Sequence, residues 1–432
     1  MAGAVSEKTA KGVPGLDRMD GGRTVKISLA FAWISIFNGV LDSGLPLILS
    51  EELAKGGLGL GDLQRGAVMA LDNVLGLFLL PLFGMLSDRS RSKYGRRTPF
   101  ILAGGIGAAL SWLAAGFFLS GGQRLAFLLA LTAGLACIAI SRPAALSLLP
   151  DFTRLEHRRS ANAATQIISI LATGISIGIV TVMTPRGFPK IFFATAAAMA
   201  LLIALFVATV KERRWLAQDS ADTAADETTA EEPAPAPPSS RRNRIFLLLG
   251  VFFFYIAYNG LVSSLAPYAT QVMGLHEKNF TIPQILCFLA AACAAIPVSK
   301  LAAHFNRRIL LALGLLVMLF AFLLANTQKG LTPLMFVSFV LVGLGYSVAI
   351  VNFYPFMLEL SDPRQIGKNT GIYNNAMMLA MIITPVLSGA LFEWLSIRIL
   401  FPYCMAALAL GTASVMLIRD QRKAVHKKPR EE

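Results

Sequence analysis

Charge is scarce in this chain. Asp, Glu, Lys and Arg together make up 15% of its 432 residues, below the roughly one quarter of ordinary soluble domains. Cysteine and histidine number four each. Cys137, Cys287, Cys293 and Cys404 all fall in apolar stretches without ligand spacing, and they read as small buried hydrophobes. His157, His276, His304 and His426 lie at loops, at the ends of apolar runs or in the C-terminal tail, where none pairs with a nucleophile or a metal set. No phosphate-cradling glycine loop or Walker pattern occurs, which argues against ATP hydrolysis. The sequence offers no catalytic constellation, no metal site and no cofactor, so an enzyme is not expected.

What is abundant is apolar length. The chain is 55% hydrophobic with a mean hydropathy of +0.62. A helix crossing the hydrocarbon core needs about 20 mostly apolar residues. Twelve such spans are expected at 27–50, 66–87, 99–120, 125–149, 162–184, 190–210, 245–270, 282–300, 308–327, 332–357, 370–392 and 395–418. A soluble fold of this size could not hide that much apolar surface. An all-α, multi-pass membrane protein is therefore predicted, each helix closing its own backbone bonds. The first span is too long for a signal-peptide core and follows a polar tail, so no cleavable signal is expected.

The net charge of +14 raises a nucleic-acid partner, but its distribution argues against one. With the N-terminus cytoplasmic, thirty of the 39 Lys and Arg fall on cytoplasmic tails and loops, eight on the opposite side, and Arg142 inside a span. That is the positive-inside bias, and it places both termini in the cytoplasm of a plasma (inner) membrane protein. A monomer is expected.

Residues 212–243 interrupt the apolar rhythm. The stretch is acidic, then Pro-rich, then basic, and is expected to be a disordered cytoplasmic linker. It divides the chain into a cytoplasmic tail over 1–26, six spans over 27–211, the linker, six more spans over 244–418 and a basic tail over 419–432. The halves echo each other. FNGVLDSGLP (Phe37 to Pro46) aligns with YNGLVSSLAP (Tyr258 to Pro267), setting Asn38 against Asn259 and Asp42 against Ser263. LSLLPDFTR (Leu146 to Arg154) aligns with LELSDPR (Leu358 to Arg364), setting Asp151 against Asp362. Two echoes in corresponding places predict two pseudo-symmetric six-helix bundles. The sister half does without a carboxylate at Ser263, so the fold does not demand Asp42.

The segment GMLSDRSRSKYGRRTPFI, Gly84 to Ile101, joins spans 2 and 3. Gly84 permits close helix approach. Asp88 can accept hydrogen bonds from a helix N-terminus, and Arg89, Arg96 and Arg97 can pair with carboxylates at helix ends. With Gly95, Asp151 and Asp362, these residues form a candidate conformational latch; a plain positive-inside anchor is the alternative. The segment resembles the loop signature of the major facilitator superfamily: a glycine, then Asp-Arg, then Gly-Arg-Arg. Its extension by Ser90, Arg91, Ser92 and Lys93, with Thr98-Pro99-Phe100-Ile101 following, is similar to the sucrose-transporter branch and its relatives among the glycoside–pentoside–hexuronide cation symporters. Ala144 to Ala163, AALSLLPDFTRLEHRRSANA, resembles the span 4–5 connection of that group. The resemblance implies cation-coupled sugar or glycoside uptake by alternating access, with polar groups of spans 1, 4, 5, 7, 10 and 11 around a central cavity. Melibiose-type sodium symporters carry a span 4 carboxylate about where Arg142 stands here, and a carboxylate pair in span 2 where this chain has only Asp72. That departure favours a proton as the coupling ion.

Ionisable groups inside a span are costly and default to function. Asp42 lies 16 residues beyond Lys26, about 24 Å from the cytoplasmic surface, and Asp72 lies 16 residues before Asp88, at about the same depth. Arg142 lies nine residues before Asp151, about 14 Å up and near the midplane. Burial disfavours the charged form of a carboxylate. Asp42 and Asp72 are thus candidate proton carriers, with interhelical bonding the alternative for each. Arg142 keeps its charge and can hold a substrate hydroxyl or carboxylate. Asn38, Asn162, Gln166, Tyr255, Tyr258, Asn259, Asn352, Tyr373, Asn374 and Asn375 complete the candidate substrate site, as amides and phenols suit hydroxyls and aromatic faces suit sugar C–H faces. Gly174-x-x-x-Gly178 in span 5 reads as a close-packing motif. A proton-coupled drug or metabolite exporter and a lipid or amphiphile carrier on the same fold are the competing readings. Span 5 lacks the Gly-Pro dipeptide of many such exporters.

Overall fold

The computed structural model describes residues 21–51, 56–90, 92, 94–153, 158–213, 215, 241–275, 279–361 and 366–419. Twelve helices among them are long and apolar enough to cross a membrane. They are α1 (Gly21–Ser50, with a turn at Gly44), α2 (Asp62–Arg89), α3 (Thr98–Ser120), α4 (Arg124–Asp151), α5 (Arg158–Met183) and α6 (Pro189–Thr209). The second set is α7 (Arg241–Gln271), α8 (Ile282–His304), α9 (Arg307–Asn326), α10 (Pro333–Glu359), α11 (Ile366–Trp394) and α12 (Leu400–Met416).

Local chemistry sets several of the ends. Proline occupies the first turn of α3, α6, α8 and α10, where its missing N–H leaves no bond unmade. The Asn306 side chain accepts from Arg308 N at 3.0 Å to cap α9, and the Thr332 hydroxyl accepts from Met335 N at 3.1 Å to cap α10.

The two halves repeat one packing plan. In the first, α1 packs on α5 and α6, α3 on α4 and α6, and α2 on α4. In the second, α7 packs on α11 and α12, α9 on α10 and α12, and α8 on α10. Each of these pairings recurs six helices later in the other half. The predicted pair of pseudo-symmetric bundles is what the chain forms.

Between the halves, α2 meets α11 closely. A methyl group on Gly66 would overlap the Pro385 carbonyl, and one on Gly389 would overlap the Asp62 backbone. The Leu63 amide donates to Glu393 Oε2 at 3.2 Å, and Thr181 and Thr281 share a 2.7 Å hydroxyl bond between α5 and the start of α8. All these contacts lie on the face away from the termini. On the other side of mid-depth, Gly371, Ile372, Asn374 and Asn375 of α11 are exposed. The cleft between the bundles is therefore closed away from the termini and open toward them.

Two expectations change. Gly174 and Gly178 have nothing within 4 Å of where a Cβ would stand, so that motif makes no close approach in this state. The expected linker is structured at both ends. Glu212 and Trp215 are helical and buried, Glu212 held by the loop before α3 and Trp215 against Phe152, and α7 begins at Arg241. Residues 216–240 lie outside the described residues, as does the latch candidate Asp362.

Candidate functional site

On α1, Phe31, Ser35, Asn38 and Asp42 are half-buried while their neighbours are mostly buried. Their spacing of four, three and four residues puts them on one helical stripe facing the cleft. Asp42 has Asp72 of α2 and Arg142 of α4 as its charged neighbours, and both are half-buried too. The sequence placed the two carboxylates at one depth; the fold brings them together with the arginine. Asn38 sits one turn from Asp42, and its buried Oδ1 has no hydrogen-bond partner among the described residues. A polar atom left unpaired next to a cleft is set to receive a donor from a solute.

The second half supplies a wall of different chemistry. Tyr258 of α7 and Tyr346 of α10 stack with ring centroids 4.4 Å apart, and both lie within electrostatic reach of Asp42. Phe254 stacks on both. Tyr255 lies near Tyr373 of α11, and Tyr373 meets Tyr354 of α10 edge-on at 5.5 Å. One wall thus carries two carboxylates, a guanidinium and an amide; the other carries phenols.

The remaining candidates separate. Asn162 and Gln166 are exposed at the terminal end of α5, next to Ala161 and Thr165, which are buried at the α1 seam where Thr165 bonds Ser28. Asn374 is exposed on the open part of α11, as is Asn375. Asn259 is not a cleft residue. It is 9% exposed, and its Nδ2 donates to Met381 O at 2.8 Å. That carbonyl is free because Pro385, four residues on, has no N–H to give it. Asn352 is also withdrawn: it is fully buried and donates to Val348 O of its own helix at 2.8 Å. It shares a stripe with Gly345 and Val348, which pack against Gly314 of α9.

In the loop after α2, Arg96 and Arg97 reach carboxylates at helix ends. Arg97 is buried and ion-pairs with Asp88; its Nε reaches Asp151 Oδ2 at 3.1 Å and its Nη1 donates to Ser87 Oγ at 2.8 Å. Arg96 Nη2 meets the same Asp151 oxygen at 2.9 Å. Arg89 is exposed. Gly84 makes no tight approach, since a Cβ there would meet Pro143 at an ordinary 3.8 Å. These ion pairs lie within the first half. The second half has its own version: Arg307, at the start of α9, pairs with Glu359 at the end of α10 at 2.5 Å. An Asn-Arg-Arg at 306–308, echoing Gly95-Arg96-Arg97, was the signal for it in the sequence. Tyr346, Tyr354 and Glu212 also went unread.

Comparison with known proteins agrees with this architecture. Residues 27–287 and 280–432 match the family model of the Major Facilitator Superfamily. The chain belongs to that family: it is a multi-pass membrane transporter of small molecules and not an enzyme. Over 83 residues it is 39% identical to "Proton-associated sugar transporter A" of Mus musculus, covering 18% of this chain and 11% of that protein. Over 133 residues it is 33% identical to "Sucrose transport protein SUC4" of Arabidopsis thaliana, covering 28% of this chain and 26% of that one. The matched segments thus span 11% and 26% of those relatives' lengths. Among solved structures, a mutant of the peptide transporter POT aligns with a TM-score of 0.70 at 16% identity, over 91% of this chain and 94% of that chain. The nucleoside transporter NupG aligns with 0.70 at 12% identity, over 92% and 100%. These likenesses establish the fold alone.

Proposed function

We propose that this transporter takes up a neutral, hydroxyl-rich solute, a sugar or glycoside, in symport with a proton. The observation that carries the reading is the pairing of unlike walls: Asp42, Asp72 and Arg142 on one side of the cleft, and the Tyr258–Tyr346 pair on the other. With both carboxylates ionised the trio holds one net negative charge. A single added proton brings it to neutrality, which suits a cycle that carries one proton with an uncharged cargo. Phenols, the amide of Asn38 and the guanidinium donate to or accept from hydroxyls, and aromatic rings give apolar faces to sugar C–H groups. The names of the two partial relatives support the same solute class.

In this reading both termini are cytoplasmic, the membrane is the plasma (inner) membrane, and the cleft faces inward. Asp42 takes up and releases the proton, with its charged neighbour Asp72 as the alternate carrier. Arg142 holds a hydroxyl and tempers the pair. The α2–α3 loop acts as the latch between inward- and outward-open states. No further cofactor enters the cycle.

The test is Asp42→Asn in proteoliposomes. Accumulation of labelled sucrose or another accepted glycoside against an imposed pH gradient should be lost, while exchange between equal compartments persists, since exchange needs no net proton movement. Full gradient-driven accumulation by the variant would remove Asp42 from the role.

A further inference from the structure

Glu212 is the most heavily bonded carboxylate among the described residues, and it lies outside the cleft. It follows α6, where the chain begins its passage to the second half. The side chain is 2% exposed. It accepts from the backbone N–H of Arg96 at 2.7 Å, of Arg97 at 3.0 and 3.1 Å, and of Thr98 at 2.8 Å, and from the Thr98 hydroxyl at 2.7 Å. Those are the unpaired amides at the N-terminus of α3, which favour an anion. The turn is shaped to receive it. Gly95 has φ +118°, and a Cβ there would collide with the Glu212 carboxylate. The glycine of the Gly-Arg-Arg run is therefore needed twice, for its backbone angle and for the space it leaves. Three residues on, Trp215 is buried against Phe152 at the end of α4 and lies 5.7 Å from the Arg23 guanidinium of α1.

We infer that Glu212 is a positioning residue of the latch, and that the segment joining the two halves starts on it. Arg97 is held from two sides: its guanidinium by Asp88, Asp151 and Ser87, and its backbone by Glu212. With both in place the arginine is kept within the first half while the cleft is open toward the termini. Losing the carboxylate loosens the turn, frees Arg97 to seek a partner across the cleft, and favours closure on the terminal side. The inference rests on reading the α2–α3 loop as a latch.

The experiment uses the full chain with its four cysteines replaced and nitroxide labels on cysteines put at Lys190 and Lys329. Both positions are exposed, one in each half, on the face away from the termini. Double electron–electron resonance then reads whether that face is closed or open, with no substrate needed. Glu212→Gln should raise the long-distance fraction relative to the short by about fivefold, within the usual range of coupling between sites, with its melting temperature kept near that of the parent. Gly95→Ala should give the same shift, and the double variant no more than either alone. A merely structural carboxylate would lower the melting temperature and leave the distances alone. Asp88→Asn separates the two failures. If it moves the distances and Glu212→Gln does not, or moves them the opposite way, the role of Glu212 is wrong. If neither moves them, the latch reading itself is wrong.

Discussion

Gly66→Ala should hold the transporter open on the face away from its termini. The added methyl would sit 2.6 Å from the Pro385 carbonyl carbon and 3.3 Å from Val386 Cα, and closer still to the carbonyl oxygen. Carbon atoms settle at about 3.5–4.0 Å, so α11 would have to retreat by about 1 Å. The obstacle is backbone, which has no rotamer to move aside, and Gly389 presses on the Asp62 backbone in the same seam. Overpacking of this sort costs about 1–3 kcal/mol. The cost falls on the closed face only, because parting α2 from α11 removes the contact. A penalty of about 2 kcal/mol corresponds to roughly a 30-fold change in the ratio of closed to open. The same Lys190–Lys329 label pair would report it as growth of the long distance, with a matching loss of turnover. Gly174→Ala is the control, since nothing stands within 4 Å of its added carbon. An unchanged distance distribution in a well-folded Gly66→Ala protein would refute the close crossing as the gate.

Two further outcomes follow from the same geometry. Tyr346→Leu removes one member of the stacked pair and its hydroxyl; solute binding, read by calorimetry or substrate-dependent thermal shift, should weaken about 3- to 10-fold, in keeping with the ~1 kcal/mol of an aromatic pair, with Tyr346→Phe intermediate. Unchanged binding in both would mean that the phenol wall does not touch the solute. Protease added outside right-side-out vesicles should spare both termini and the 212–243 segment, and cleavage there would reverse the proposed orientation.

Much of the architecture was legible because it follows from single-residue properties. Length and hydropathy place a span without knowledge of its neighbours, and a carboxylate such as Asp42 stands out in apolar surroundings. Helix rotation is different. The alignment of Asn38 with Asn259 is sound as sequence, yet the cleft stripe of α1 runs through Asn38 and Asp42 while α7 leaves Tyr258 and Val262 half-buried, one position earlier in the repeat. One residue is about 100° of helix. Asn259 is thereby turned onto α11, and Ser263 is buried beside Ser264. Asn352 was misread for the same reason, its stripe being set by Gly345 and Val348 against α9. Glu212 was hidden in another way: it opens an acidic, Pro-rich run whose average composition suggests solvation, and its partners lie more than a hundred residues upstream.

The gate and the charged cluster meet on one helix, and the missing atoms of three residues explain how. Gly66 and Gly389 lack the carbon that would keep α2 and α11 apart, and Pro385 lacks the N–H that would occupy the Met381 carbonyl. That carbonyl has two lone pairs. One receives Asn259 Nδ2 at 2.8 Å from within the second half; the other receives Asn73 Nδ2 at 3.4 Å from across the cleft. Asn73 follows Asp72 directly. The turn of α2 that turns a carboxylate toward Asp42 and Arg142 thus turns an amide, about 100° around the same helix, toward the gate. A rigid helix cannot rotate one without the other. The Asn73–Met381 contact, at 3.4 Å, is near the limit of a hydrogen bond. The charged cluster of the first half and the contact to the second half thus sit on adjacent residues of α2.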